Sequence, residues 1–245
     1  MQKLKLTKLL TAGMLVAAFL VFPLIPVRGQ EEKTGWETDN LNVLFIGFEE
    51  ESLEMVAVYS INYRDRMQSG AVFFPVQALV PGEELSFRDF YREEGLRALR
   101  SAVEEALGIE IAYHVAINNA IMAEVEGIIG PITIEGKKLD LNRIFTMAPG
   151  PQDEEMLGEL VRRLTRPEVY FWQLPRLCLA AHRHVTTDFP LTLENLWLHY
   201  RIASQIPTDQ LRKVILSLQP APTESGLAWQ LVEAQLARVI YDITR

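Results

Sequence analysis

The chain has 245 residues, of which 49% are hydrophobic and 23% charged, so it is too apolar for a disordered protein and long enough for one sizeable domain. It carries 24 Lys and Arg against 32 Asp and Glu, and four of the basic residues precede residue 29, which leaves 20 basic against 32 acidic residues in the remainder. A surface this acidic repels nucleic acid and anionic headgroups at long range and disfavours DNA binding.

The N-terminal segment predicts a membrane anchor or an export signal. Three lysines within the first eight residues precede a run over residues 9–27 that contains no charge, long enough to span a bilayer with the lysines on the cytoplasmic side. Small residues just before position 30 also suit signal cleavage. We expect residues 1–28 to be a retained anchor or a cleaved signal, followed by a polar linker over 29–40. The rest of the chain is then an extracytoplasmic domain of a single-pass membrane protein, or a secreted one if cleavage occurs.

The next part of the chain predicts strands connected by turns. Runs rich in Val, Ile and Phe indicate strands, and a polar segment over Asn62–Gly70 indicates a hairpin between the second and third of them. The predicted strands are Leu41–Phe48, Met55–Ile61, Ala71–Pro75 and Tyr113–Ile117.

Helical spacing of apolar residues begins at Gly95. It predicts one helix to Leu107, ended by Gly108, and a second from Ile121 to Ile129. Alternating strands and helices indicate an α/β fold with crossover connections. The later half predicts helices over 153–163, 168–183, 192–204 and 227–243 and a strand at Val214–Leu218. The tryptophans at 172, 197 and 229 are spaced as core residues.

Four glutamates fill six positions after the first predicted strand: Glu49, Glu50, Glu51 and Glu54. A solvated loop is the ordinary interpretation of such a run. Ligands of α/β sheets, however, bind beyond the carboxyl ends of strands, and magnesium prefers carboxylate oxygens. Both interpretations stay open at this point.

Common site motifs are missing from the sequence. It contains no GxGxxG, no GxxxxGK[ST] and no GxSxG, so the usual nucleotide-binding and α/β-hydrolase arguments have no support. His182 and His184 are two residues apart, which places them on different faces of a helix. We expect structural or surface roles for all four histidines, because zinc needs three or four converging ligands.

Six stretches, taken in order, carry a family resemblance. They are NVLFIGFEE, MVAVYSIN, FFPVQALVPG, EEGLRALRSAVEEALGIEIAYHVAINN, VEGIIGPITI and VTTDFPLTLENL. Together they resemble the LytR-CpsA-Psr (LCP) family of bacterial cell-envelope proteins over most of residues 41–243. The resemblance implies an α/β fold with a central mixed sheet flanked by helices over 41–245, preceded by a single N-terminal transmembrane helix.

The resemblance also implies a chemistry. Proteins of this family transfer glycopolymers from a polyprenyl-pyrophosphate carrier to peptidoglycan, with arginines on the pyrophosphate and aspartates supporting a magnesium ion. Positive charge suits a site where negative charge develops on a diphosphate leaving group. The two acidic positions of the family fall at Glu49 and Glu54, which we therefore expect to bind the ligand and Mg²⁺.

The basic half of that site is largely missing. Ser52 stands where the family has an arginine, and Val76 and Gln77 replace an Arg-Asp pair. Arg88 lies near the position of a family lysine and is a candidate for ligand binding, and Arg143 is the only arginine in a shortened later segment. Arg88 and Arg143 are the remaining candidates for catalysis.

We therefore expect a divergent protein of cell-wall glycopolymer attachment or assembly that binds a polyprenyl-linked (pyro)phosphate ligand or a partner. Its transfer activity should be weak or absent, because each lost charge-stabilising donor costs about 10²–10³ in rate. The alternative is an active phosphotransferase that uses Arg88 and Arg143 with Arg92 or Arg97. A third hypothesis is an interaction module without room for a lipid. The expected partners are a polyprenyl-linked glycan or cell-wall polymer and the membrane, but no nucleic acid.

Overall fold

The computed structural model describes residues 40–62, 68–134, 137–138, 141, 163, 169, 172–190, 212–223 and 226–244. They belong to two compact units. The terminal unit contains described residues of 40–115 and 212–244, and the central unit contains those of 116–190. The elements in chain order are β1 (Asn40–Glu49), β2 (Ser52–Asn62), β3 (Gln68–Phe74), β4 (Ala78–Leu79), α1 (Phe87–Leu107), β5 (Tyr113–Asn118), α2 (Ala120–Ile129), β6 (Thr133–Ile134), β7 (Lys137–Lys138), α3 (Leu174–His184), β8 (Val185–Thr187), β9 (Arg212–Ile215), β10 (Leu218–Thr223), β11 (Gly226–Leu231) and α4 (Glu233–Thr244).

The main sheet of the terminal unit is mixed, with the strand order β5-β1-β2-β3-β9. β1, β2 and β3 are antiparallel, which confirms the predicted hairpin, and β9 runs parallel to β3. Val56–Ser60 is buried without interruption, as expected for an inner strand covered on both faces. The result is a mixed α/β fold with a central mixed sheet flanked by helices.

Helix α1 begins earlier than the sequence pattern predicts. The predicted start at Gly95 is a kink inside the helix, where φ is 80° and ψ is −175°, a conformation almost confined to glycine. Leu99 and Val103 after the kink are buried as predicted, and Gly108 ends the helix in the left-handed conformation. The turns before the kink, which the periodicity did not predict, carry several polar residues of the candidate site.

The C-terminal part of the terminal unit corrects two predictions. Residues 227–231 are a strand and not the start of the last helix, because β11 pairs antiparallel with β10 and parallel with β4. The predicted strand Val214–Leu218 is also divided between β9 and β10. Pro220 and Pro222 lie on β10, an outer strand of this three-stranded sheet, opposite Trp229 and Leu227.

The central unit contains the end of β5, α2, α3, β8 and the short hairpin of β6 and β7. Helix α2 ends at Ile129, as predicted, with Gly130 as its cap. Helix α3 lies in the helix predicted over 168–183, and Val169 and Trp172 before it are helical too. Glu124 of α2 lies 2.9 Å from the His184 Nε2 atom of α3. That hydrogen bond lowers the pKa of Glu124, while partial desolvation opposes the shift.

Two of the tryptophans predicted to be core residues are not. Trp172 is 81% exposed and Trp229 is 47% exposed. Trp197 and the predicted helices over 153–163 and 192–204 fall at positions that the structure does not describe or describes only in part. The predicted anchor over 1–28 also lies outside the described residues. Within the described ranges, no helix combines the length and apolarity needed to cross a bilayer.

Candidate functional site

The acidic patch forms the tip of the β1–β2 hairpin. Glu49 pairs with Ser52 in the register, so Glu50 and Glu51 form a two-residue turn. Glu50 has a φ of 54°, in the left-handed region that strains residues with a Cβ. The side chains of Glu49, Glu50, Glu51 and Ser52 are exposed. The tip therefore holds three carboxylates in a turn whose backbone suits glycine better than glutamate.

The fourth glutamate lies on a β-bulge. The register between β1 and β2 shifts because Gly47 pairs with Met55 and Phe48 with Leu53, which leaves Glu54 as the additional residue. Bulges of this kind redirect side chains and are frequent beside functional sites. The bulge explains why Glu54 differs from the solvated tip and is only 20% exposed at its side chain.

Arg88 binds the bulge from helix α1. Its Nη2 atom lies 2.8 Å from Glu54 Oε2, and its Nε–H donates to the carbonyl of Leu53 over 3.0 Å. Ser52 donates its hydroxyl to Glu54 Oε1 over 2.8 Å. Both oxygens of Glu54 therefore have a protein donor. The Arg88 side chain remains 42% exposed, so part of its guanidinium faces solvent.

The first turn of α1 is held by its cap. The Ser86 hydroxyl accepts from the backbone N–H of Asp89, and the same hydroxyl donates to the Asp89 carboxylate over 2.6 Å. The backbone N–H of Arg88 donates to the carbonyl of Val76 over 3.1 Å. Val76 is buried, so the position at which the resemblance places an arginine is here part of the core.

The other basic residues of α1 do not join this ion pair. Arg92 pairs with Asp89 at 2.8 Å and approaches Glu93 at 3.9 Å. Arg97 is exposed and follows the kink. Arg143 of the basic set proposed for an active enzyme lies outside the described residues, and of the other three arginines the structure brings Arg88 to one of the two predicted acidic ligands.

An aromatic pair borders the same region. The rings of Phe48, at the end of β1, and Tyr91, on α1, have centroids 5.1 Å apart and are tilted by 45°. Burial raises the pKa of the Tyr91 phenol, so the phenol stays protonated at neutral pH and can serve as a hydrogen-bond donor. An apolar body with a polar tip suits the boundary between a phosphate and a lipid tail.

Both carboxylate oxygens of Glu54 accept a hydrogen bond, one from Ser52 and one from Arg88, and the Arg88 charge beside them weakens the attraction of a magnesium ion to this position. Among the residues with described positions, no group of three or more His, Cys, Asp or Glu side chains could hold a metal. Glu49, the other predicted ligand, is exposed at the end of β1. The magnesium expectation stays a prediction.

The other basic residues that the sequence offered for the site lie elsewhere or outside the described residues. Arg143 lies outside the described residues, as does the side chain of Lys137. Lys138 pairs with Glu126 of α2 at 2.7 Å, within the central unit. Sequence reasoning missed Asp89 and Tyr91. The signal for Asp89 was present, because serine followed three residues later by an acidic residue is typical of a helix start.

Similar folds occur among solved structures. TagT bound to LIIa-WTA superposes with a TM-score of 0.60 at 15% identity, covering 88% of this chain and 93% of TagT. TagV of Bacillus subtilis gives a TM-score of 0.58 at 14% identity, and the match covers 84% of this chain and 96% of TagV. The chain has an LCP-like fold. A protein of Streptococcus agalactiae shares this LCP-like fold with a TM-score of 0.62 at 13% identity, covering 88% of this chain and 90% of its own.

No protein-family model and no curated protein sequence matches the chain. The LCP-like fold is thus retained at a low level of sequence identity. This agrees with the sequence, in which the resemblance consists of many weak matches in the same order.

Proposed function

We propose that this chain is an LCP-like cell-envelope protein of glycopolymer attachment or assembly, which binds a polyprenyl-linked (pyro)phosphate ligand or a partner with weak or no transfer activity. The observation that carries the proposal is the ion pair of Arg88 with Glu54. A guanidinium paired with a carboxylate has less positive potential to offer a diphosphate than an unpaired one. The likeness to TagT bound to LIIa-WTA supports the ligand class.

Binding without efficient transfer follows from the charges at this site. Arg88 keeps an exposed part of its guanidinium that can bind one phosphate group. Arg92 is paired with Asp89, and Ser52 and Val76 occupy the positions at which the resemblance places arginines. A transition state that develops charge on a leaving diphosphate therefore meets fewer cations than such a reaction needs.

The second candidate function is active phosphotransfer from polyprenyl pyrophosphate to peptidoglycan. The approach of Arg88 to Glu54 favours it to a limited extent, because it brings a cation and a carboxylate of the proposed site together. Magnesium held by Glu49 and Glu54 belongs to this alternative.

The test uses the full chain in detergent. Binding of farnesyl pyrophosphate is measured by calorimetry with and without magnesium, and transfer is assayed from a lipid-linked glycan donor to peptidoglycan fragments. We expect the wild type to bind farnesyl pyrophosphate. Arg88→Gln should weaken this binding about tenfold or more, and Arg97→Gln should leave it unchanged. Robust turnover with magnesium would replace the proposal by the second candidate. Absence of binding in wild type would contradict the second candidate and the ligand-binding form of the proposal, and would leave a partner protein as its only form.

A further inference from the structure

The outer face of α3 combines exposed apolar and basic side chains. Trp172, just before the helix, is 81% exposed, and Leu179 is 41% exposed. Arg176 and Arg183 are exposed too, and the four positions follow the spacing i, i+4, i+7 and i+11 of one helix face. The opposite side of α3 is buried through Leu177, Ala180 and Ala181.

The charge of this segment is opposite to that of the chain. Residues 169–187 contain no Asp or Glu, although the whole chain has 32. Among the described residues, the carboxylate of Glu124 on α2 lies beside α3, 2.9 Å from His184 and 3.5 Å from Arg183. Arg176 donates to the neutral amide oxygen of Gln173 over 3.1 Å. The outer face of α3 is therefore locally basic.

We propose that this face rests on an anionic membrane surface, with Trp172 and Leu179 among the lipid headgroups and Arg176 and Arg183 against lipid phosphates. Tryptophan is enriched at membrane interfaces, and arginine buries its apolar stem while its guanidinium stays among polar groups. Apolar side chains that enter the headgroup region, together with basic side chains attracted to anionic lipids, hold a protein surface at the membrane interface. This inference does not depend on the Arg88–Glu54 site.

The length of the N-terminal segment favours lipid as the occupant over an acidic protein. If residues 1–28 are retained as the anchor, the 12 residues of the linker over 29–40 reach at most about 40 Å, so the domain stays close to the bilayer. The negative charge of the rest of the domain does not prevent contact between the outer face of α3 and the membrane, because charges are screened beyond about 8 Å at physiological salt. Repulsion of the acidic surfaces also favours orientations in which the basic face meets the membrane.

The test uses the full chain in nanodiscs whose lipids carry bromine near the headgroup end of the acyl chains and quench tryptophan on contact. One set contains phosphatidylcholine and phosphatidylglycerol at three to one, and the other contains phosphatidylcholine alone. Trp172→Phe should remove much of the quenched fluorescence in the anionic discs. Trp229→Phe is the matched control, since Trp229 is also exposed but lies on β11, and it should leave the quenched component in place.

A charge variant completes the test. In the anionic discs, Arg176→Gln should lower the ratio of molecules with α3 on the lipid to molecules with α3 away from it about fivefold, as measured by the quenching of Trp172. This is the factor expected for one basic side chain beside anionic headgroups. The proposal is wrong if Trp172→Phe does not change the quenching, in which case an acidic protein becomes the occupant to examine. It is also wrong if the quenched component belongs to Trp229, or if it is equally strong without phosphatidylglycerol. Circular dichroism of each variant confirms the fold.

Discussion

Arg88 Nη2 and Glu54 Oε2 lie 2.8 Å apart although the residues are 34 positions apart in the sequence. The pair joins the first turn of α1 to the bulge of β2 and neutralises a cation at the acidic end of the hairpin. Its effect on binding can be measured by removing the acid and keeping the base.

Glu54→Gln should strengthen the binding of farnesyl pyrophosphate about threefold to fivefold, because it removes one negative charge from the environment of Arg88 at a partly solvated site. Calorimetry of the full chain measures the effect. Glu105→Gln, at an exposed position of α1 after the kink, makes the same change in net charge and should have no effect. Weaker binding in Glu54→Gln would mean that Glu54 itself contributes to the ligand or metal site.

Gly95→Ala should destabilise the protein by about 1–3 kcal/mol, because alanine cannot readily adopt the backbone conformation of the kink. No atom lies within 4 Å of a Cβ built at Gly95, so the cost comes from the backbone alone. Gly127→Ala is the matched control inside α2, where a Cβ is equally unhindered and φ is not positive. It should stabilise the protein by up to about 1 kcal/mol.

Urea denaturation of both variants measures these changes in the free energy of unfolding. If Gly95→Ala were neutral or stabilising, α1 would be a continuous helix in solution. Arg88 would then not be held by a separate turn.

Glu50→Gly should stabilise the protein by about 0.5–1 kcal/mol, since relief of the left-handed strain exceeds the added entropy of a glycine in the unfolded chain. Glu51→Gly removes an identical charge at the neighbouring turn position, which lacks a positive φ, and should be neutral or destabilising. Thermal unfolding distinguishes the two variants. Equal gains from both would indicate that charge repulsion, and not backbone strain, limits the stability of the hairpin.

His184→Ala should raise the pKa of Glu124 towards its ordinary value of 4.5, because the hydrogen bond with His184 is the largest cause of its lowering. A group whose pKa is lowered by folding stabilises the native state above its unfolded pKa. This contribution is lost as the pH falls through the folded pKa. Wild type should therefore lose stability on acidification below about pH 4.5 more steeply than the variant does.

Carbon-detected NMR titration of the Glu124 carboxyl tests this assignment. His182→Ala is the control, because His182 is exposed on the same helix. A Glu124 pKa that does not respond to His184→Ala would assign the shift to Arg183.

The sequence predicted single elements well and failed where pairing between strands decides the structure. The first three strands, their hairpin and α2 follow from runs of apolar residues and from glycine stops. Residues 227–231 were predicted as helix because apolar residues continue through them into α4. Pairing with Pro220 and Pro222, several residues earlier, makes them a strand. No periodicity contains that information.

The candidate site shows the same division. The acidic residues could be located by position, since they follow a strand in an α/β pattern. The family resemblance placed Arg88 in the same site, but its contact with Glu54 could not be predicted, because it requires both the bulge that redirects Glu54 and the short helical segment before Gly95. The exposed Trp172 also differs from expectation, because spacing alone does not distinguish the buried side of a helix from the side that binds another surface.

Pro220 and Pro222 limit how copies of this protein can associate. Neither residue has a backbone N–H, so β10 carries two fewer hydrogen-bond donors than a strand without proline and is a poorer template for an added strand. A strand edge that lacks donors resists the edge-to-edge pairing by which sheets of separate molecules aggregate.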